Sequence, residues 1–171
     1  MSGDDDGVRD SAGDRDSPGV RDSAGVVAPP PLIFIAVFLL AYIAQRVRPF
    51  PLLPERSGTL LGLLLIVAGG GLALWGAATF ARARTAILPT GSTTRIVSNG
   101  PYRFTRNPIY VGLVFAYVGS AFAINSLWPL LFLPLALVVM QRGVIYREEA
   151  YLERKFGAEY LSYKHRVRRW V

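Results

Sequence analysis

Two clusters of polar side chains directly adjoin apolar stretches in this sequence. The first is the run Gly100-Pro-Tyr-Arg-Phe-Thr-Arg-Asn-Pro-Ile-Tyr-Val-Gly112, and the second is Arg147-Glu-Glu149. Arginine side chains bind carboxylate or phosphate groups. Adjacent carboxylates at a membrane boundary repel each other until a cationic ligand or an arginine relieves the repulsion. The two clusters therefore predict a ligand-binding site at a membrane surface.

The first cluster also contains the predicted start of a helix. Pro108 suits the first helical position, where its missing N–H costs nothing, and Asn107 is a favourable N-cap. The free N–H groups and the positive dipole of such a helix start favour an anionic group. Tyr102 and Tyr110 add apolar faces with polar tips. A simpler interpretation stays open for both clusters: headgroup anchoring with capping for the first, and a solvated helix start for the second.

Composition excludes several classes of chemistry. The chain has no cysteine, which excludes a thiol nucleophile and a Cys-based metal site. A single histidine, His165, excludes a multi-histidine metal site. Apolar residues make up 51% of the chain and occur in blocks, which is typical of membrane spans. Residues 29–171 carry a net charge of +11, which suits an anionic membrane surface rather than nucleic acid, because the basic residues flank the spans.

The sequence divides into a polar tail and an apolar body. Residues 1–28 carry seven aspartates and three arginines in a six-residue repeat, which predicts a disordered low-complexity tail. Residues 29–171 form the predicted membrane domain, an all-α helical bundle. Its four spans are predicted at about 32–46, 58–80, 108–124 and 127–146, and a charged helical segment at 147–171 follows them.

Charge asymmetry predicts the orientation of the bundle. Four spans place both termini and the Gly100–Gly112 run on one side of the membrane. Without the tail, that side carries thirteen Lys and Arg residues, and the other side carries three, between Arg46 and Arg56. The positive-inside rule therefore predicts that the termini and the candidate site are cytoplasmic, in a chain expected in the plasma membrane.

A wider pattern links the two clusters to a known family. The motif Gly-Pro-Tyr-Arg-x-x-Arg-Asn-Pro-x-Tyr-x-Gly at 100–112 is followed by an apolar hairpin, Arg147-Glu-Glu-Ala-Tyr-Leu152, Phe156-Gly157, Glu159-Tyr160, Tyr163 and Val167-Arg-Arg-Trp170. Over residues 85–171 this pattern resembles the isoprenylcysteine carboxyl methyltransferase family, which is related to the phospholipid N-methyltransferases.

The resemblance implies a membrane enzyme that uses S-adenosylmethionine in a cytoplasm-facing pocket closed by its C-terminal segment. It implies a lipophilic substrate that enters from the bilayer. From the composition, no metal is expected. The cofactor-binding residues that the resemblance implies are Tyr102, Arg106, Asn107, Pro108, Tyr110, Gly112, Glu148 and Glu149. The candidate catalytic residues are Arg106, Asn107 and Glu148, and weaker candidates for the site are Arg142, Tyr160, Tyr163 and Arg166.

One departure from the family pattern concerns the type of reaction. Many members have histidine where this chain has Asn107, and asparagine cannot serve as a general base. A carboxylate acceptor needs no base, so methylation of a lipophilic carboxylate is the favoured reaction. The alternatives are a phospholipid or amine N-methyltransferase, a nicotinamide-dependent membrane reductase, and a non-catalytic lipid-binding membrane protein.

Overall fold

The computed structural model describes residues 24–54, 57–83 and 94–170. The helices are α1 (Pro30–Val47), α2 (Thr59–Arg82), α3 (Pro108–Ala123), α4 (Trp128–Met140), α5 (Tyr146–Phe156) and α6 (Ala158–Arg166). A short 3₁₀ turn (Gly100–Arg103) precedes α3, and a π turn (Gln141–Ile145) joins α4 to α5. The described residues contain no strand beyond one isolated bridge between Thr105 and Arg168. The predicted all-α membrane bundle is confirmed.

Three of the helical stretches are long and apolar enough to cross a membrane. They are Pro30–Val47, Thr59–Arg82 and the continuous stretch Trp128–Phe156, which includes the π turn. The predicted third span, α3, is an apolar helix of only 16 residues. At 1.5 Å per residue it is about 24 Å long, shorter than a hydrocarbon core of about 30 Å. Of the predicted low-complexity tail at 1–28, residues 1–23 lie outside the described residues.

Glycines set the contact between α2 and α3. A Cβ atom on Gly112 would lie 2.5 Å from the carbonyl oxygen of Gly69 and 2.9 Å from the backbone nitrogen of Ala73. A Cβ atom on Gly69 would lie 2.4 Å from the carbonyl oxygen of Gly112. Because lipid provides no hydrophobic driving force between helices, close backbone contact of this kind stabilises the pair through van der Waals packing. The α2–α3 pair is therefore closely packed where the Gly100–Gly112 run ends.

We expect Gly112→Ala to lower the free energy of unfolding by about 3 kcal/mol, because a backbone atom cannot move aside as a side chain does. Gly70 is the matched control, since no atom lies within 4 Å of a Cβ built there. Denaturant titration of both variants in mixed micelles measures the difference. Equal stability of Gly112→Ala and Gly70→Ala would contradict this packing.

The opposite end of the bundle is held by hydrogen bonds between loops. Asn125 adopts a left-handed conformation (φ 50°) in the turn between α3 and α4. Its side-chain amide donates to the carbonyl of Leu53 at 2.9 Å and accepts from the Leu53 N–H at 2.9 Å. Trp128 donates from its indole N–H to the carbonyl of Arg48 at 2.8 Å. These bonds tie the α1–α2 loop to the α3–α4 turn.

The core between α1, α3 and α4 contains one unsatisfied hydroxyl. Tyr117 is 4% exposed, and its ring lies 5.8 Å from the ring centroids of both Phe34 and Phe38. Its hydroxyl group makes no hydrogen bond with any described residue. An unpaired buried hydroxyl destabilises the folded state, since it has lost its bond to water.

We therefore expect Tyr117→Phe to raise the free energy of unfolding by about 1 kcal/mol, because the ring keeps its contacts and only the unpaired hydroxyl is removed. The same micelle titration measures the change. A loss of stability instead would mean that the hydroxyl has a partner in the membrane.

Candidate functional site

A cavity of about 360 Å³ lies where the ends of α2 and α3 meet α5 and α6. This is within the size range of small-molecule sites. Its polar wall consists of Arg95, Tyr102, Arg106, Asn107, Tyr110, Glu148, Glu149, Tyr151, Tyr160 and Tyr163. Its apolar wall consists of Ala24, Pro30, Pro31, Ala73, Leu74, Ala77, Phe80, Ile96, Val97, Ile109, Leu113 and Leu152. One cavity therefore offers both charged and apolar surfaces.

The π turn determines where the second cluster lies. The helix does not break between α4 and α5, so Arg147, Glu148 and Glu149 follow the π turn directly within one continuous helix. A π turn inserts an extra residue into an α-helix and is often found at functional sites. Gly157, with φ of +51°, then ends α5 and begins α6. This reversal brings Tyr160 and Tyr163 to the cavity wall.

Glu149 joins two arginines from different parts of the chain. Its Oε1 lies 3.0 Å from Nη1 of Arg106, in the first cluster. Arg169 donates from Nε to Oε1 at 2.9 Å and from Nη2 to Oε2 at 2.6 Å. These hydrogen bonds raise the pKa of Arg169. Because the Glu149 side chain is only 9% exposed, the carboxylate needs these partners to be stable in its site.

The residues after α6, 167–170, are named here the C-terminal segment, and they lie along the first cluster. The N–H of Arg106 donates to the carbonyl of Arg168 at 2.9 Å, and the Thr105 hydroxyl donates to the carbonyl of Arg169 at 3.1 Å. The Tyr163 hydroxyl donates to the carbonyl of Tyr102 at 2.7 Å. The sequence did not predict a role for Arg169, although it is part of the Val167-Arg-Arg-Trp170 pattern that carried the resemblance. The segment and the first cluster therefore form one structural unit.

Asn107 corrects one prediction. It stands at the N-cap position of α3, with Pro108 at the first helical position, but its side chain makes no capping hydrogen bond. Its amide nitrogen instead donates to the carbonyl of Arg169 at 2.9 Å. The Asn107 N–H donates a hydrogen bond to the Thr105 hydroxyl oxygen, at 3.2 Å. The N-cap position is therefore confirmed, but the predicted side-chain cap was wrong, because the Asn107 side chain bonds a residue that is distant in sequence.

Glu148 differs from its neighbour in having no cationic partner. It is half-buried in the cavity wall and accepts a hydrogen bond from the Tyr110 hydroxyl at 2.6 Å. Within residues 24–54, 57–83 and 94–170, no lysine or arginine forms an ion pair with it. Half-burial without a counter-charge is costly for a carboxylate. The arrangement leaves Glu148 able to bind a cation or hydroxyl groups of a ligand.

Arg106 has unused donors beside this carboxylate. Its side chain is 10% exposed and lines the cavity. Neither Nε nor Nη1 makes a hydrogen bond with any residue that the structure describes, although Nη1 is close to Glu149. A buried guanidinium with unsatisfied N–H groups favours an anionic ligand. The cavity is therefore lined by a carboxylate without a cationic partner among the described residues, Glu148, and by a guanidinium with an unused donor, Arg106.

Three tyrosines outside the spans form much of the polar wall. Burial raises the pKa of Tyr160 to about 12, and burial also raises the pKa values of Tyr102 and Tyr163. All three hydroxyls therefore keep their protons at physiological pH and cannot act as bases. Their rings add apolar surface on which a flat aromatic group can pack.

Two of the predicted cofactor-binding residues do not line the cavity. Gly112 faces the backbone of α2 at Gly69, and Pro108 is buried at the start of α3. Arg142 and Arg166 are exposed and also lie outside the cavity wall. The other predicted residues, with Tyr160 and Tyr163, are brought together. The sequence missed the apolar wall, since small residues such as Ala73 and Ala77 carry no chemical signal.

The model of the phospholipid methyltransferase family matches residues 57–159, more than half of the chain. The chain belongs to this family. The family falls within the isoprenylcysteine carboxyl methyltransferase-like superfamily, so the resemblance seen in the sequence is confirmed at that level. Membership supports an integral membrane methyltransferase in general and implies S-adenosylmethionine as the methyl donor.

The other comparisons show limited similarity between this chain and known proteins. An uncharacterized protein of Haemophilus influenzae is 54% identical over 35 residues, which are 20% of this chain and 56% of that protein. The chain thus matches about half the length of this curated relative. No solved structure matches the chain.

Proposed function

We propose that this protein is an S-adenosylmethionine-dependent methyltransferase that methylates a lipophilic acceptor at the cytoplasmic face of the membrane. The observation that carries the proposal is one cavity with two kinds of wall. Its polar wall holds the Glu148 carboxylate, which has no cationic partner among the described residues, and the Arg106 guanidinium with its unused Nε–H. Half of its apolar wall comes from α1 and α2, which have the length and hydropathy of membrane spans.

The polar wall fits the charges of the methyl donor. S-adenosylmethionine carries a carboxylate, an ammonium group and a sulfonium centre, and when bound it supplies an activated methyl group. Arg106 would hold the carboxylate through Nε, which makes no hydrogen bond with a described residue, while Nη1 stays paired with Glu149. Glu148 would hold a cationic group or the ribose hydroxyls. Tyr102, Tyr160 and Tyr163 would pack against the adenine ring.

In this mechanism the protein aligns the reactants and excludes water. A methyl transfer needs the acceptor atom in line with the bond that breaks, and fixed positioning provides this alignment. The C-terminal segment, bonded to the first cluster through Arg106 and Asn107, would close the polar side. The apolar wall would admit the acceptor from the bilayer.

We favour a carboxylate as the methyl acceptor. An ionised carboxylate attacks without losing a proton, whereas an ammonium group must first be deprotonated. Asn107 cannot serve as a base, and its amide group is already bonded to the C-terminal segment. The second candidate is a lipid amine. The family's description favours it, and Glu148 would then accept the amine's proton.

The type of product tests this choice. Purified protein would be incubated with methyl-labelled S-adenosylmethionine and membrane lipid extract, and the labelled lipids would be treated with mild base. A methyl ester loses its label as methanol, as the carboxylate proposal expects. Label that survives base in a nitrogen-methylated headgroup would contradict it and support the amine.

The proposed orientation has its own test. Since the chain has no cysteine, single cysteines can be introduced at Ser162, in α6, and at Ser57, before α2. In intact cells, a membrane-impermeant thiol reagent is expected to label the cysteine at position 57 and not the cysteine at position 162. The reverse pattern would contradict a cytoplasmic site.

A further inference from the structure

The chain before α1 contacts the π turn. Ala24–Ala28, which the sequence assigned to the tail, is named here the strap. The N–H of Val27 donates to the carbonyl of Gly143, inside the π turn, at 3.1 Å. Val26 and Ala28 pack against the hydrophobic core, whereas Val27 is exposed. The strap therefore has a fixed place on the helix that carries Glu148.

A second hydrogen bond lies one residue from Glu148. Arg147 donates from Nη1 to the carbonyl of Gly25 at 2.7 Å. Gly25 has φ of +59°, a left-handed conformation that glycine adopts without strain. The strap thus contacts the helix on both sides of the junction between the π turn and α5.

The strap packs closely against Gly143, which has no side chain. A Cβ atom built on Gly143 would lie 3.2 Å from Cγ2 of Val27 and 3.5 Å from its Cβ. The same part of the chain reaches the cavity, since Ala24, Pro30 and Pro31 line its apolar wall. One short segment therefore contacts the π turn and forms part of the site.

We propose that the strap is a positioning element of the active site. By bonding Gly143 and Arg147, it fixes the π turn and so sets the direction in which Glu148 enters the cavity. This inference rests on the proposed function, because it assigns to Glu148 a role in cofactor binding. Val27 and Arg147 act through Glu148 and do not themselves contact the reacting atoms.

Removal of these bonds tests the proposal. Arg147→Met keeps the aliphatic stem and loses the donor, and Arg154→Met, an exposed arginine on the same helix, is the matched control. We expect Arg147→Met to raise the KM for S-adenosylmethionine, and the Kd for S-adenosylhomocysteine, about tenfold. Turnover at saturation and the midpoint of thermal unfolding should change little. Deletion of residues 2–28 should weaken binding at least as much, whereas deletion of residues 2–22 should not.

Covalent rescue separates positioning from a general structural effect. The 3.5 Å Cβ–Cβ distance suits a disulfide between Val27→Cys and Gly143→Cys, in a chain without other cysteines. In the Arg147→Met background, oxidation of this pair is expected to restore the Kd to within about twofold of wild type, and reduction should weaken it again.

The outcomes are distinguishable. Failure of the disulfide to form, failure of oxidation to restore binding, or an unchanged Kd in both Arg147→Met and the 2–28 deletion would overturn the strap proposal alone. Wild-type protein that binds no S-adenosylhomocysteine would contradict the proposed function, and the positioning role with it.

Discussion

Glu149→Gln is expected to release the C-terminal segment and to lower the free energy of unfolding by about 3 kcal/mol. Breaking a buried ion pair costs about 3–5 kcal/mol, because the partner charge stays buried and unpaired. Arg106, with its side chain 10% exposed, is that partner. The Arg169 side chain is 27% exposed, so water can solvate its charge once Glu149 is neutral. We therefore expect a loss at the lower end of this range of free energies.

Trypsin and hydrogen exchange measure this release. Arg168 and Arg169 should become rapidly cleaved in Glu149→Gln, and the Arg106 amide, which donates to Arg168, should lose protection from exchange. The matched control is Glu153→Gln. Glu153 pairs with Lys164, and both side chains are about one third exposed, so we expect a loss below about 1 kcal/mol. Equal effects in the two variants would show that Glu149 does not hold the segment.

Glu148→Gln is expected to weaken cofactor binding without unfolding the protein. Glutamine keeps the shape of the side chain and can still accept a hydrogen bond from Tyr110, but it has no charge. A hydrogen bond to a charged group contributes about 1.5–3 kcal/mol, so we expect the Kd for S-adenosylhomocysteine to rise about 10- to 100-fold.

Calorimetry in lipid nanodiscs measures that change. The control is Glu159→Gln, an exposed carboxylate of α6 that does not line the cavity. Its Kd should match that of the wild type, and both variants should keep the wild-type thermal midpoint. Tight binding by Glu148→Gln would mean that the cofactor's charged groups lie elsewhere in the cavity.

Much of the fold follows from the sequence because lipid imposes strict rules. In a bilayer every backbone polar group must be satisfied within the chain, so long apolar blocks predict helices. The two polar clusters were predictable as one site, because the short Asn125–Ser126 turn returns the chain to the same side of the membrane. The structure accordingly brings Arg106, Glu148 and Glu149 to one cavity.

What the sequence could not predict depends on helix rotation and on distant contacts. A wholly apolar helix has no polar face to show which side packs against its neighbour. Gly69 could therefore not be distinguished from Gly70, although of the two only Gly69 packs on α3. The Asn107 side chain was expected to cap its own helix. Its hydrogen bond to Arg169 is a tertiary contact, which the local sequence does not reveal. The π turn at Gln141–Ile145 could not be predicted either, since its residues also suit an ordinary α-helix.

The central claim is that the polar wall binds the methyl donor, and one titration tests it most directly. Wild-type protein in nanodiscs would be titrated by calorimetry with S-adenosylhomocysteine and, separately, with a nicotinamide dinucleotide. We expect one site per chain for S-adenosylhomocysteine, weakened in Glu148→Gln, and no heat of binding from the nicotinamide. Binding of the nicotinamide instead, or of neither compound, would contradict the account.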